Sequence, residues 1–320
     1  MISIVIPCFR SEKTIEFVVN HLLEVLNQRE EKSEIILVND GSPDDVWLEI
    51  IKIVNKTEGK VFGINFSRNF GQHSAILAGY RFAKGDIVVT MDDDGQTNSE
   101  YLWKLVDKLR TGYDIVFAEY PEKKESLYRR MGSALNFKMC SSFLGMPRGT
   151  KPNSFHAIQK YIIDEMVRYD NPYPYIAGLM FRSTNNIGSV IVPHEDRIEG
   201  TSGYSIGKLI GLTINGFTAF SIKPLRFASY LGVICALLGF LYGISVIVKK
   251  LMTPTIQLGY SSLMSTLLFV GGMLMLMLGI IGEYIGRMYI SINNAPQYVI
   301  KETTKKSDST RIPSFPLEDC

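Results

Sequence analysis

The sequence contains little cysteine and almost no net charge. Its four cysteines (Cys8, Cys140, Cys235 and Cys320) are far apart in 320 residues and show no Cys-x-x-Cys spacing, so neither a disulfide framework nor a zinc site is indicated. The formal net charge is +2 and 46% of the residues are hydrophobic, which excludes a disordered chain and a protein that coats nucleic acid. We therefore expect a folded protein in a reducing, cytosolic setting, with no nucleic-acid partner.

Two further signals are absent. The N-terminus lacks the basic region, long apolar run and small-residue cleavage site of a secretory signal, so we do not expect the bulk of the protein to be secreted. No Gly-x-Gly-x-x-Gly follows the first predicted strand, and no Gly-x-x-x-x-Gly-Lys-Ser/Thr occurs anywhere. These absences argue against a dinucleotide-binding domain and against a P-loop.

What is present is an alternation of strand and helix patterns over the first two hundred residues. Short apolar runs predict strands at 2–6, 35–38, 61–66, 87–91 and 115–118. Apolar residues at helical spacing predict helices at 14–28, 74–83 and 101–110. Such alternation predicts an α/β fold with a mostly parallel sheet covered on both faces.

Two long uncharged runs occupy the C-terminal third, at 229–248 and 263–282. Each has the twenty residues that a membrane helix needs, and buried core helices are rarely so long and so apolar. The preceding segment, 206–220, has an apolar face at helical spacing and is predicted to lie at the membrane interface. Gly-x-x-x-Gly spacings at Gly239 and Gly282 would permit a homo-oligomer without specifying one.

Basic residues on either side of the two runs predict their orientation. Lys223 and Arg226 precede the first run and five basic residues follow the second, against Lys249 and Lys250 in the short loop between them. The positive-inside rule then places both the N-terminal domain and the C-terminal tail in the cytoplasm. We expect a multi-pass protein of the cytoplasmic membrane.

The strand predicted at 87–91 ends in three acids, Asp92, Asp93 and Asp94. Ligands of open α/β sheets bind beyond the carboxyl ends of the strands, and two carboxylates one residue apart can hold a Mg²⁺ or Mn²⁺ ion that bridges phosphate oxygens. Asp40 follows another predicted strand and could accept hydrogen bonds from a nucleobase or ribose. Taken alone, the acids could equally form a solvated turn, and Asp40 an ordinary turn before a helix.

Five segments together are more specific. Residues 4–7, 38–42, 68–79, 85–86 and 91–96 read Ile-Val-Ile-Pro, Val-Asn-Asp-Gly-Ser, Arg-Asn-Phe-Gly-Gln-His-Ser-Ala-Ile-Leu-Ala-Gly, Gly-Asp and Met-Asp-Asp-Asp-Gly-Gln. In this order they resemble glycosyltransferase family 2, in its polyprenyl-phosphate branch, which includes dolichol-phosphate mannose synthase and bacterial undecaprenyl-phosphate sugar transferases. The resemblance continues through 197–204, the two apolar runs and 282–289.

The resemblance implies a fold, a division of the chain and a set of site residues. The fold would be a glycosyltransferase A-type domain at 1–204, followed by juxtamembrane helices at 205–226, a two-helix anchor at 227–290 and a cytoplasmic tail at 291–320. Asp92 and Asp94 would hold the metal, which would be Mg²⁺ or Mn²⁺. The remaining roles would be nucleotide binding (Pro7, Asp40, Asp92), catalysis (Asp93, Asp94, Gln96, Arg197) and binding of the acceptor phosphate (Arg129, Arg197, Ser202, Tyr204).

The implied reaction transfers a sugar from a nucleotide sugar to a polyprenyl phosphate, with inversion at the anomeric carbon. Two alternatives stay open: a transferase of the same fold with another lipid or glycan acceptor, and a catalytically silent membrane scaffold that binds a nucleotide sugar. The Gln-x-x-Arg-Trp segment of processive polysaccharide synthases is absent, since neither Trp47 nor Trp103 lies in one.

Three departures from the branch pattern bear on the site. Relatives often have Asp-Ala-Asp-Leu-Gln where this chain has Asp-Asp-Asp-Gly-Gln at 92–96, and a lysine where Gly203 stands. A Gly-Asp-Phe-Arg segment corresponds to Asn-Ser-Phe-His at 153–156, so a carboxylate and a guanidinium are exchanged for neutral groups. His156 could therefore face the ligand, or it could be a structural histidine.

Overall fold

The computed structural model describes residues 1–57, 59–95, 99–120, 151–193, 223–252, 260–293 and 295–304. They divide into two compact units, one built on the N-terminal sheet and one that contains the two long C-terminal helices.

The first unit is built around one eight-stranded sheet. The strand order is β7-β5-β6-β4-β1-β2-β3-β8. The strands are β1 (Ile2–Cys8), β2 (Ser33–Asn39), β3 (Val61–Phe66), β4 (Ile87–Thr90), β5 (Ile115–Glu119), β6 (His156–Gln159), β7 (Ile187–Ile191) and β8 (Ile300–Thr303). The five strands predicted from the sequence are confirmed as β1 to β5, with ends that differ by at most two residues.

The helices of this unit are α1 (Ile15–Leu26), α2 (Val46–Lys56), α3 (Gln72–Phe82), α4 (Leu102–Arg110), α5 (Lys160–Met166) and α6 (Ile176–Ser183). Periodicity predicted α1, α3 and α4 but not the other three. A short 3₁₀ turn at Ser99–Tyr101 leads into α4.

Four of the strand pairings are parallel, namely β1 with β2, β1 with β4, β2 with β3 and β5 with β7. The three antiparallel pairings involve β6 and β8. The α/β class and a mostly parallel sheet are therefore confirmed. Strand β6 lies between β4 and β5 and pairs antiparallel with both, which the sequence analysis did not predict.

The central strand β1 shows how the sheet is covered on both faces. Every residue of β1 is buried, as expected for a central parallel strand. Ile4 belongs to the apolar cluster that includes Ile15 and Leu22 of α1. On the opposite face, Val5 meets Gly79 of α3 so closely that a Cβ on that glycine would lie 2.3 Å from Val5 Cγ1.

Strand β8 comes from the segment that the sequence assigned to a tail. It pairs antiparallel with β3 at one edge of the sheet. The Ser67 amide donates to the Val299 carbonyl over 2.9 Å, and the Gly63 amide donates to Thr304 Oγ1 over 2.8 Å. The chain thus returns to the first unit after its long helices.

The second unit contains α7 (Lys223–Met252) and α8 (Tyr260–Ile292). Both predicted apolar runs are helical. Among the described residues, one helix has a stretch long and apolar enough to cross a membrane, Phe269–Gly286, with a mean hydropathy of 1.7. A shorter apolar stretch, Gly232–Tyr242, lies in α7.

Candidate active site

The acidic segment follows β4 and begins with Asp92. The carboxylate of Asp92 is held on both sides: Gln72 Nε2 donates to Oδ1 over 3.0 Å, and Ser154 Oγ donates to Oδ2. Gln72 is the first residue of α3 and Ser154 lies just before β6. Residues from two distant segments therefore fix the orientation of this carboxylate.

Asp93 points the other way, into the loop after β1. Its Oδ2 accepts a hydrogen bond of 2.9 Å from the Phe9 amide, and its carbonyl accepts one of 2.7 Å from Thr14 Oγ1. Burial raises the pKa of the Asp93 carboxyl to about 6, while the Phe9 amide acts in the opposite direction. In this structure Asp93 anchors the acidic segment to the β1–α1 loop.

Asp94 lies on a cleft of about 550 Å³ between that loop and the loop after β2. Basic and acidic side chains both line it: Arg10 and Lys13 from the first loop, Asp44 from the second, and Asp94 itself. A cleft of this size falls within the range of small-molecule sites.

The two loops around the cleft are joined by hydrogen bonds. The Arg10 amide donates to Ser42 Oγ over 2.8 Å, and the Asp45 amide donates to Glu12 Oε2 over 3.0 Å. Arg10 has a φ of 59°, a left-handed conformation that is uncommon for a non-glycine residue and often accompanies functional loops.

Asp40 follows β2 and is 3% exposed. Its Oδ1 accepts from the Phe70 amide over 2.7 Å and its Oδ2 from the Gly71 amide over 2.9 Å. Burial raises the pKa of Asp40 to about 6, and the two amides oppose that rise. Asp40 thereby fixes the segment that enters α3.

Pro7, predicted to contact the nucleotide, is buried within β1 and lies opposite Val38 in the sheet. Five other predicted site residues lie outside the described residues: Gln96, Arg129, Arg197, Ser202 and Tyr204. Their roles remain predictions.

His156 is 2% exposed, so of the two interpretations that the sequence left open, the structural one holds. Its Nδ1 lies 2.9 Å from the Asn153 carbonyl and its Nε2 lies 2.9 Å from the Tyr80 hydroxyl. Burial lowers the pKa of His156 to about 4, and its contact with the Asn153 carbonyl acts in the opposite direction. The histidine is structural, and both of its nitrogens have partners.

The carboxylates of Asp92 and Asp94 suit a hard divalent cation. Mg²⁺ is commonly held by one or two carboxylates, with substrate phosphates and water completing its shell. Among the described residues, no group of three or more His, Cys, Asp or Glu side chains could hold a metal, so a site built by protein ligands alone is not found there. Carboxylate oxygens accept at more than one position, which leaves Asp92 able to bind a cation beside Gln72 and Ser154.

Sequence reasoning missed the roles of Gln72 and Ser154. Gln72 was noted only as part of a motif, and Ser154 only as a departure from one. The signal that identifies Ser154 is the register of β4 against β6, which places Thr90 opposite His156. Asp92 and Ser154 each lie two residues beyond that pair.

Residues 3–166 match the family described as Glycosyl transferase family 2, and residues 223–288 match the GtrB C-terminal hairpin. A solved structure titled glucosyl-3-phosphoglycerate synthase from Mycobacterium tuberculosis has a TM-score of 0.49 and 17% identity, covering 67% of this chain and 76% of that one.

Several relatives align over nearly the whole chain. "Uncharacterized glycosyltransferase YkcC" of Bacillus subtilis is 33% identical over 306 residues, covering 94% of this chain and 93% of its own. "Undecaprenyl-phosphate 4-deoxy-4-formamido-L-arabinose transferase" of Proteus mirabilis is 32% identical, covering 94% of this chain and 93% of its own. "SfII prophage-derived bactoprenol glucosyl transferase" of Shigella flexneri is 30% identical, covering 94% of this chain and 98% of its own.

The expected resemblance is thus confirmed over the sheet domain and over the helical segment that follows it. The chain belongs to glycosyl transferase family 2, and its relatives include enzymes named as polyprenyl-phosphate sugar transferases.

Proposed function

We propose that this chain transfers a sugar from a nucleoside-diphosphate sugar to a polyprenyl phosphate at the cytoplasmic face of a membrane. The observation that carries the proposal is the pair Asp92 and Asp94 at the carboxyl end of β4, with Asp92 held by Gln72 and Ser154 and Asp94 on the cleft. Carboxylates in that position suit a metal-bound diphosphate.

The donor would occupy the cleft beside Asp94. Cleavage of the bond between sugar and nucleoside diphosphate develops negative charge on the departing group, so the site must stabilise charge there. A Mg²⁺ or Mn²⁺ ion held by Asp92 and Asp94 would supply that stabilisation. Arg10 and Lys13 line the same cleft, and their positive charges favour binding of a diphosphate.

The acceptor explains why a dedicated base is not required. A phosphate monoester has a second pKa of about 6 and is largely dianionic at neutral pH, so its oxygen can attack the anomeric carbon without first losing a proton. We expect a direct displacement that inverts the anomeric centre. Gln96 would lie near the sugar, and the acceptor phosphate would be bound by Arg129, Arg197, Ser202 and Tyr204.

The long helices support a membrane-bound acceptor. Helices α7 and α8 have 30 and 33 residues, each longer than the roughly 20 residues that cross a bilayer. We infer that both cross, with the sheet domain and residues 305–320 in the cytoplasm and residues 205–226 at the interface. Relatives named for undecaprenyl phosphate and bactoprenol support a polyprenyl phosphate as acceptor.

The test uses the full-length protein purified in detergent. It is incubated with undecaprenyl phosphate, Mn²⁺ or Mg²⁺ and a panel of nucleotide sugars, and lipid-linked sugar is scored by mass spectrometry. We expect a metal-dependent product that Asp94→Ala abolishes, with the anomeric configuration opposite to that of the donor. Nucleotide binding without product across the panel would contradict the proposal and favour another acceptor or a silent scaffold.

A further inference from the structure

A buried hydrogen-bonded chain connects the interior of the sheet to the residue before Ser154, whose hydroxyl donates to the Asp92 carboxylate. It runs from Thr90 through Tyr80 and His156 to the Asn153 carbonyl, and Ser154 follows next in the sequence. The Tyr80 hydroxyl lies 2.8 Å from Thr90 Oγ1 and 2.9 Å from His156 Nε2. Thr90, Tyr80 and His156 are all at most 2% exposed.

The direction of each hydrogen bond follows from the groups available. The Asn153 carbonyl can only accept, so His156 Nδ1 must carry the proton that it donates. His156 Nε2 is then an acceptor for the Tyr80 hydroxyl. Because that hydroxyl proton is used, the oxygen of Tyr80 accepts from Thr90 Oγ1. One arrangement satisfies all three side chains, and it fixes the position of Asn153.

The register of β4 against β6 extends this arrangement to Asp92. Thr90 and His156 face each other across the antiparallel pair. Asp92 and Ser154 each lie two residues beyond this pair, just past the ends of the two strands, and their side chains meet there. The Ser154 hydroxyl donates to Asp92 Oδ2, while Gln72 holds the other oxygen.

We propose that Ser154 is a positioning residue for the metal-binding carboxylate of Asp92, and that the buried Tyr80–His156 pair holds Ser154 in place. This inference rests on the proposed function, since it assigns Asp92 to a divalent cation. In this chain the donor to Asp92 Oδ2 is the neutral hydroxyl of Ser154, at the position where the branch pattern has an aspartate. Groups that orient a metal ligand commonly affect affinity or activity by about 10- to 100-fold.

The first experiment measures binding of Mn²⁺ alone, by the electron paramagnetic resonance signal of free Mn²⁺, to the detergent-purified full chain. We expect Ser154→Ala to raise the Mn²⁺ dissociation constant about tenfold or more, and Ser154→Thr, which keeps the hydroxyl, to restore most of the affinity. Ser183→Ala is the matched control. Its hydroxyl bonds to the Leu179 carbonyl within α6, and we expect wild-type Mn²⁺ affinity.

Asp94→Ala distinguishes failure of this inference from failure of the proposed function. If Asp94→Ala abolishes Mn²⁺ binding while Ser154→Ala binds Mn²⁺ as the wild type does, the positioning role is overturned and the metal site stands. If Asp94→Ala leaves Mn²⁺ binding unchanged, the metal site itself is overturned, and the role of Ser154 with it.

Tyr80→Phe tests the buried pair, because it removes only the hydroxyl that joins Thr90 to His156. We expect a lower unfolding temperature together with a rise of at least twofold in the Mn²⁺ dissociation constant, since His156 and then Ser154 lose their fixed position. A lower unfolding temperature with unchanged Mn²⁺ affinity would show that the pair only stabilises the fold, and would overturn its part in the proposal.

Discussion

Tyr298 stacks flat on Phe66, with ring centroids 5.0 Å apart and ring planes 6° from parallel. Arg81 Nη1 donates to the Tyr298 hydroxyl over 2.8 Å, and its guanidinium lies 5.4 Å from the ring centre. Arg81 also forms an ion pair with Asp170. The segment after the long helices is therefore attached to the sheet domain by an aromatic side chain as well as by β8.

This attachment predicts the effect of removing the Tyr298 ring. Tyr298→Ala should destabilise the sheet domain by about 2–3 kcal/mol, because a partly buried aromatic ring and its stacking partner lose their contact. For a domain of this size the loss corresponds to roughly 5–10 °C in unfolding temperature. Tyr298→Phe, which loses only the hydrogen bond from Arg81, should cost about 1 kcal/mol. Equal unfolding temperatures for Tyr298→Ala and wild type would contradict this.

A substitution of Asp40 should loosen the segment that enters α3, because the Asp40 carboxylate holds that segment by hydrogen bonds. In Asp40→Asn one carboxylate oxygen becomes an NH₂ group, which cannot accept from an amide. If Oδ1 is replaced, the Phe70 amide loses its acceptor; if Oδ2 is replaced, the Gly71 amide keeps only its longer hydrogen bond of 3.2 Å to Oδ1. A buried unsatisfied donor costs about 1–3 kcal/mol. We expect a lower unfolding temperature and, once the donor is identified, a higher KM for the nucleotide sugar. Asp45→Asn on the neighbouring loop is a control, since its hydrogen bonds to the chain use the backbone. A variant Asp40→Asn with unchanged KM would remove Asp40 from donor binding.

The buried His156 side chain should make the free energy of unfolding depend on pH. Its pKa falls to about 4 in the folded state because it is buried, whereas an unfolded histidine titrates near 6.5. The unfolded state therefore takes up a proton first as pH falls, so stability is complete above pH 6.5 and decreases toward pH 4. Protonation of this one histidine can lower the free energy of unfolding by at most about 3 kcal/mol.

The measurement compares the unfolding temperatures of wild type and His156→Gln from pH 7.5 to 4.5. Glutamine does not titrate, so the difference between the two proteins should be largest at pH 7.5 and should shrink as the pH falls. A difference that stays constant over this range would show that His156 is protonated equally in both states. The comparison cancels the contributions of the other acids and histidines.

The elements that the sequence predicted are those specified by local patterns, and the elements that it missed depend on residues far apart in the chain. Strands β1 to β5 were predictable because each is a short apolar run, and α1 and α4 because their apolar residues repeat at helical spacing. Strand β6 has four residues, His-Ala-Ile-Gln, too few for a clear alternation. Strand β8 pairs with β3 across more than 230 residues of sequence, and no local pattern specifies such a pairing.

The same distinction applies to the site. Asp92 and Asp94 were predictable because acids at the end of a strand are a local feature. The partners of Asp92 come from α3 and from the residues before β6, and their positions depend on the sheet register. The sequence left His156 open between a ligand-facing and a structural role for the same reason, since its partners Tyr80 and Thr90 lie on other segments.

Gly41 provides the last prediction, because two of the loops meet at this residue. It has a φ of +57°, and a Cβ would lie 2.1 Å from the Arg68 carbonyl carbon and 2.5 Å from the Asn69 nitrogen. These are backbone atoms, so an alanine here must push the loop after β2 away from the segment that holds Asp40. Gly41→Ala should therefore cost the strain of a left-handed alanine, about 1–2 kcal/mol, and in addition about 1–3 kcal/mol for the forced displacement.

Gly59 separates these two contributions. It also has a positive φ, +83°, but a Cβ there would have nothing within 4 Å, so Gly59→Ala carries the backbone strain without the displacement. We expect Gly41→Ala to unfold at a clearly lower temperature than Gly59→Ala and to bind the donor more weakly, while Gly59→Ala keeps the wild-type KM. Equal losses of stability and unchanged KM values in both variants would mean that the two loops can separate at Gly41 without cost, and that the close contact does not shape the site.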